Sequence, residues 1–410
     1  MRNRYELRVS YESISSFLSA LLIYNVFIDY TISGLLRVLR ISSDVVSIRG
    51  ISYIIYVLSS VVVLLYNRRV SLKSFFLPIV LFIALIVSLN TNPDISIYSV
   101  YYEPLLYMCF PIYLIYGNIK SFDKVFKFVV ILAYVSGVFF CLIFTVHYFI
   151  TPIINSASYQ TTSYAFLLPL FIILQKRNKK IGDYVLISVM LFFSIVAGGR
   201  ISLFCIAVYV AVQLIKKGKR NLVFGIATLI IAVLAVTFFD KLLDIIVIVS
   251  QKYGIVGGIA YYTKVGNVFL ETTRTDIWAQ AIELISKRPI FGYGILGDRL
   301  VFSKGIAYSH NLFLEIALQY GLIVLILFSS WFIVRFIKIL TTKHDNSSFI
   351  TAYRSLMYST GFLVLLLSCS YLNQPCFFAF LGMMLSWENA CTNISKDIDN
   401  EKGAFGELYW

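Results

Sequence analysis

Apolar runs long enough to cross a bilayer recur along most of this chain and leave few folds open to it. A helix needs about 20 predominantly apolar residues to span the hydrocarbon core. Runs of that kind lie near 14–34, 51–66, 74–90, 104–118, 126–150, 160–175, 183–198, 200–215, 221–239, 310–334, 354–371 and 373–388. Lipid offers no partner to a bare backbone, so such runs read as helices. The expected fold is an all-α polytopic membrane protein of about twelve transmembrane helices. The 410 residues are 59% apolar and 14% charged, whereas soluble domains carry about 25% charged residues. A soluble cytoplasmic enzyme, a secreted disulfide scaffold and a disordered chain are thereby excluded.

A net charge of +14 would suit nucleic acid in a soluble protein. In a membrane protein Lys and Arg hold cytoplasmic loops in place, so membrane lipid and no nucleic acid is the expected partner. The six cysteines are Cys109, Cys141, Cys205, Cys369, Cys376 and Cys391, with no C-x-x-C spacing. Most sit in apolar runs as small hydrophobes; Cys369 and Cys376 could approach each other near one membrane face, which leaves a disulfide open there. Arg2, Arg4 and Arg8 precede a run from Ile14 to Leu35. That run is too long for a signal peptide core and reads as a retained first span.

Basic residues fall in alternate loops. They include Arg68, Arg69 and Lys73; Lys120, Lys124 and Lys127; Lys176, Arg177, Lys179 and Lys180; Lys216, Lys217, Lys219 and Arg220; and Arg335, Lys338, Lys343 and Arg354. These loops share the cytoplasmic side, and the intervening ones face outward. Arg37, Arg40 and Arg49 break the pattern and would face outward, toward anionic head groups or a substrate phosphate. Both termini come out cytoplasmic. The expected organisation is spans one to nine over 1–239, one large outer loop from Asp240 to Ser309, spans ten to twelve over 310–388 and a tail at 389–410. A long loop in a compact protein is usually functional.

Within that loop, Ile277, Trp278, Ala281, Ile282 and Ile285 recur at helical spacing. Thr272 or Thr273 can cap the helix, Asp276 suits its first turn and Pro289 ends it. Arg274 then stands beside free backbone N–H groups, which suits an anion such as phosphate; the alternative is a surface arginine. Gly292-Tyr-Gly-Ile-Leu-Gly297 has the G-x-G-x-x-G form. It follows no strand, so the dinucleotide reading fails and close backbone approach is the better one. His310 opens span ten and is read either as an interfacial cap or as a base. Of the other histidines, His147 falls near an outer span end and His344 in a basic loop. Asn311 and Glu315 share a helix face with each other, and an ionisable group such as Glu315 or Asp29 inside a span is a functional candidate. Arg200 follows Ala197-Gly-Gly199 at a tight turn; it either meets an anion or snorkels to the head groups. No H-E-x-x-H, Walker loop or His/Asp cluster is present, so no metal or cofactor is expected. Ionisable residues within spans are few for a proton-coupled transporter.

Thr273-Arg-x-x-x-Trp-x-x-Ala281, Arg288-Pro-Ile-Phe-Gly-Tyr-Gly294, Ser309-His-Asn-x-x-Leu-Glu-x-x-x-x-x-Gly321 and Gly198-Gly-Arg200 together resemble the O-antigen polymerase and O-antigen ligase superfamily. The resemblance implies a bacterial inner-membrane glycosyltransferase of C-type architecture, with short helices in its periplasmic loop and a periplasmic active site. Its donor would be an oligosaccharide on undecaprenyl pyrophosphate, transferred without a metal and with inversion. A chain-length regulator and a flippase are implied partners. On this reading Arg200, Arg274 and His310 are catalytic, while Arg288, Arg299, Asn311, Glu315 and Asp276 bind substrate or orient the base, with His310 titrating near neutrality. A repeat-unit polymerase is the expected activity. The alternatives are a ligase that transfers glycan to lipid A–core and a lipid-linked oligosaccharide flippase; the long outer loop argues against the flippase.

Overall fold

The computed structural model describes residues 10–38, 45–67, 70–119, 122–145, 163–176, 178–196, 200–216, 274–302, 308–340 and 347–387, with 223, 226–227 and 230. Almost all of the expected ninth span (221–239) lies outside these residues. So do the first part of the large loop (240–273), Thr272 and Thr273, Gly198 and Gly199, Arg40, His147, His344 and the tail.

Every regular element among the described residues is helical. The helices are α1 (Tyr11–Leu21), α2 (Asn25–Val38), α3 (Val45–Asn67) and α4 (Leu72–Thr91). Then α5 (Ser99–Pro104) runs through a π turn at Leu105–Cys109 into α6 (Phe110–Tyr116). They continue as α7 (Phe122–Thr145), α8 (Leu167–Leu174), α9 (Ile181–Val196), α10 (Arg200–Lys216), α11 (Arg274–Lys287), α12 (Asp298–Val301), α13 (Leu312–Leu340) and α14 (Ser348–Tyr358). An apolar helix at Pro375–Trp387, α15, completes the described chain.

Five helical stretches are long and apolar enough to cross a membrane, or six if the bent pair α1–α2 is one span. Four further apolar helices are shorter, including Ser163–Leu174 and Pro375–Trp387. Twelve full-length spans are therefore not what the described residues present. Much of the bundle is built from short or broken helices whose backbone ends are satisfied by neighbours, which membrane proteins tolerate only where protein covers them. Where the exterior is helical it is apolar: Ile326, Leu327 and Val334 of α13 are 63% to 65% exposed, as a lipid-facing surface requires.

Two breaks shape the region that matters. The first run does not stay one helix; α1 and α2 meet at 90°. No Pro or Gly marks the bend. The carbonyls freed there accept hydrogen bonds from other segments, Leu22 O from the Tyr56 hydroxyl at 2.5 Å and Ile23 O from the Cys376 thiol at 3.2 Å. Cys376 and Cys369 are both free thiols.

The second break is at Gly321, where φ is +83° and ψ 174° inside α13. The glycine-rich segment before α12 docks against this gap. Tyr293 N–H donates to Leu318 O (2.7 Å), Gly294 N–H to Gln319 O (2.9 Å) and Leu322 N–H to Pro289 O (2.7 Å). A Cβ on Gly321 would stand 1.9 Å from Ile290 O, and one on Gly292 2.5 Å from Leu318 O. Only glycine permits that approach at positive φ, as the sequence reading of these glycines expects.

Candidate functional site

Helix α11 forms where periodicity places it and spans Arg274–Lys287 among the described residues. Its apolar face packs on the first half of α13, with Ile277, Ala281, Leu284 and Ile285 clustering with Ala317 and Leu318. Trp278 Nε1 donates to Ser309 O at 3.1 Å, which ties the helix to the residue before His310. Asn311 caps α13: its Oδ1 accepts from Phe313 N–H (3.0 Å) and Leu314 N–H (3.1 Å), and its Nδ2 donates to Leu366 O (3.0 Å). Clamped on both sides, His310 takes φ +54°. A non-glycine residue held in the left-handed region costs about 1–3 kcal/mol and survives only where its surroundings impose it.

The His310 ring lies 4.2 Å from the Tyr308 ring, and its buried Nδ1 has no hydrogen-bond partner among the described residues. Burial, and then the charge of Arg274, push its pKa from 6.5 down to about 4. This corrects the expectation of a histidine poised near neutrality: both causes penalise the imidazolium, so the ring is neutral at pH 7. Arg274 also acts electrostatically on Tyr164 and Cys369.

Tyr164, Cys369 and Tyr308 line one cavity of about 460 Å³. Its walls include the α1–α2 bend at Tyr24 and Asn25, and on another side Asp29 and Arg49. Asp29 accepts from Ser52 Oγ at 2.5 Å. Arg49, which the sequence reading expects to face outward toward head groups or a substrate phosphate, thus shares a cavity with Tyr308 of the His310 loop. The lining mixes aromatic faces with hydroxyl, amide and charged groups, the combination that recognises polar, ring-shaped ligands.

Other expected site residues lie elsewhere. Arg299 is buried in a network: its Nη1 meets Asp298 Oδ2 at 2.6 Å, its Nη2 meets Glu315 Oε1 at 2.7 Å and donates to Ser370 Oγ at 2.7 Å. The guanidinium sits 4.6 Å from the Tyr101 ring centroid. Its carboxylate neighbours raise the Arg299 pKa against burial. Ser370 Oγ also donates to Glu315 Oε1, and Tyr371 N–H to its Oε2. Glu315 therefore serves this network, and no described bond joins it to His310. Arg288 is exposed, 4.9 Å from the Tyr293 ring centroid. Asp276 is exposed in the first turn of α11. Arg200 opens α10. Sequence reasoning missed Asp298, Tyr101 and Tyr164. The adjacency of Asp298 to Arg299 was a readable signal; for the two tyrosines, far apart in the chain, there was none.

All eight residues singled out from the sequence fall between 184 and 329. Residues 184–329 match the family model described as O-antigen ligase. Over that segment, about a third of its length, the chain is similar to the O-antigen ligase/polymerase superfamily. No match was found among curated proteins. The matched segment takes in most of α9, all of α10, α11 and α12, and reaches into α13. The Tyr164, Asp29 and Arg49 walls of the cavity are supplied from outside it.

Proposed function

We propose that the protein is a surface-polysaccharide polymerase. It would move a growing glycan from undecaprenyl pyrophosphate onto a sugar hydroxyl of the next lipid-linked repeat unit, at the periplasmic face of a bacterial inner membrane. One observation carries the reading: Arg274 acts electrostatically on a neutral His310 whose ring meets Tyr308, a wall of a polar cavity, within the segment that matches the O-antigen ligase model.

The chemistry needs little else. The acceptor oxygen attacks the anomeric carbon, the bond from that carbon to the diphosphate oxygen breaks, and its electron pair leaves with the diphosphate. The acceptor proton passes to His310, and direct attack inverts the centre. Arg274 and Arg200 stabilise the departing charge, since a guanidinium meets phosphate oxygens bidentately without a metal. Burial is the larger cause of the low His310 pKa and Arg274 the smaller; a diphosphate that offsets the Arg274 charge would lift the second and make the imidazole a better base as the donor arrives. Arg49 across the cavity adds a third cation for the substrate. A chain-length regulator and a flippase are the proposed partners.

Arg200→Ala, Arg274→Ala and His310→Ala are each expected to abolish long-chain glycan while the protein still reaches the membrane. Normal chain length in all three would remove the site. The family description favours ligase as the second reading. Deleting a polymerase leaves single repeat units on lipid A–core, whereas deleting a ligase leaves core without glycan.

A further inference from the structure

The first cavity has a wall, built by α2 and α3, that carries a carboxylate for which transfer at His310 has no use. Asn25 and Asp29 stand four residues apart on α2 and both line the cavity, as neighbours on one helix face do. Arg49 of α3 joins them. Among the described residues that line the cavity, Asp29 is the one acid and Arg49 the one cation.

An ionisable side chain inside an apolar span is costly and is a functional candidate. Ser52 Oγ of α3 donates to Asp29 Oδ1 at 2.5 Å, and Arg49 acts electrostatically on the same carboxylate. Tying α2 to α3 through Ser52 needs no charge, because an amide oxygen also accepts from a hydroxyl. What the charge adds is acceptor strength: hydrogen bonds to an ionised oxygen are about twice as strong as neutral ones.

The rest of the lining suits a sugar. Phe27 and Tyr30 of α2 stand edge-on to Phe140, with ring centroids 6.4 Å and 6.0 Å apart. All three line the cavity and offer apolar surface to the C–H groups of a pyranose. Asn373 and Gln374 line it too, and each side-chain amide both donates and accepts. Ser370, also in the lining, is held by Arg299 and Glu315, so that side is fixed before a ligand arrives. The volume of about 460 Å³ falls within the range of about 300–1,000 Å³ usual for small-molecule sites. Asp29 repels a diphosphate, whereas a neutral polyol uses carboxylate and guanidinium together.

We infer that the α2–α3 side of this cavity is a sugar subsite, and that Asp29 is its specificity-determining residue, accepting from the hydroxyls of an uncharged ring. The inference rests on glycan being the substrate.

The test uses the full chain purified in detergent, as wild type, Asp29→Asn and Asn25→Ala. Asp29→Asn keeps an acceptor for Ser52 and removes the charge. The probes are the repeat-unit oligosaccharide of the producing strain, freed from its lipid by mild acid, and inorganic pyrophosphate. Saturation-transfer NMR titration follows the first and thermal unfolding the second. Oligosaccharide binding should weaken about tenfold in Asp29→Asn, as loss of one hydrogen bond to a charged group does, and less in Asn25→Ala. Stabilisation by pyrophosphate should not fall in either. Asn25→Ala stays informative if Asp29→Asn fails to fold. Wild-type affinity in every variant that folds, no oligosaccharide binding by wild type, or a loss confined to pyrophosphate each overturns the inference. Wild-type affinity in the variants, alongside loss of long-chain glycan in His310→Ala, overturns the subsite and leaves the transfer reading standing. Binding that depends on Asp29, alongside normal glycan in His310→Ala, supports the subsite and counts against the transfer reading.

Discussion

Arg299 Nη2 lies 2.7 Å from Glu315 Oε1, and both side chains are shut off from solvent. The pair fixes α12 to α13, and Ser370 and Tyr371 bring the segment before α15 to the same carboxylate. Removing one member of a buried ion pair leaves the other charge uncompensated and costs about 3–5 kcal/mol. Arg299→Ala and Glu315→Ala should each destabilise the protein by that order in thermal or denaturant unfolding, and the double variant by less than their sum. Additive losses would show that the two side chains act separately.

His310 gives a pH signature. The folded pKa of about 4 lies below the usual 6.5. Between those values the unfolded chain binds the proton that the folded one refuses. Stability from this group is therefore full above about pH 6.5 and lost as pH falls toward about 4, by about 3 kcal/mol in all. His310→Asn should flatten that part of the stability profile. An unchanged profile would mean that His310 titrates normally.

The bidentate role proposed for Arg274 separates geometry from charge. Arg274→Lys keeps the positive charge but loses the planar fork. If the fork holds the diphosphate, glycan elongation in the Lys variant should fall to near the level of Arg274→Ala. Elongation close to wild type would assign Arg274 to bulk electrostatics.

Gly321 and Gly292 are constrained by contact as well as by φ. Gly321→Ala places a methyl group against Ile290 O at positive φ, and a penalty on the order of 2–3 kcal/mol is expected. The loop from Pro289 to Gly294 should then lift from α13 and become accessible to a protease in the folded protein. Protection equal to wild type would show that the break in α13 does not depend on this glycine.

At the α1–α2 bend, Tyr56→Phe leaves Leu22 O buried without its hydroxyl donor. A loss of about 1–3 kcal/mol follows. Leu22 precedes Ile23 and Tyr24 in the wall of the first cavity, so glycan chain length should change more than with an equally destabilising substitution on the lipid-facing side of α3.

The sequence by itself determined the helical class, the amphipathic α11 and the glycine-dependent approach of backbone before α12. Each of these is a local property: apolar run length, period 3.6 and the absence of a Cβ act within a few residues. It also singled out Arg274 and His310 through the motifs around them. Only the tertiary structure decided that the first apolar run bends by 90°, because the donors that make the bend tolerable, Tyr56 and Cys376, come from distant segments. It likewise decided that Arg299 and Glu315 serve each other, and that Arg49 and Tyr308 share a cavity. Burial and long-range electrostatics set those outcomes, including the depressed His310 pKa, and both depend on which helix ends meet rather than on the order of residues within any one of them.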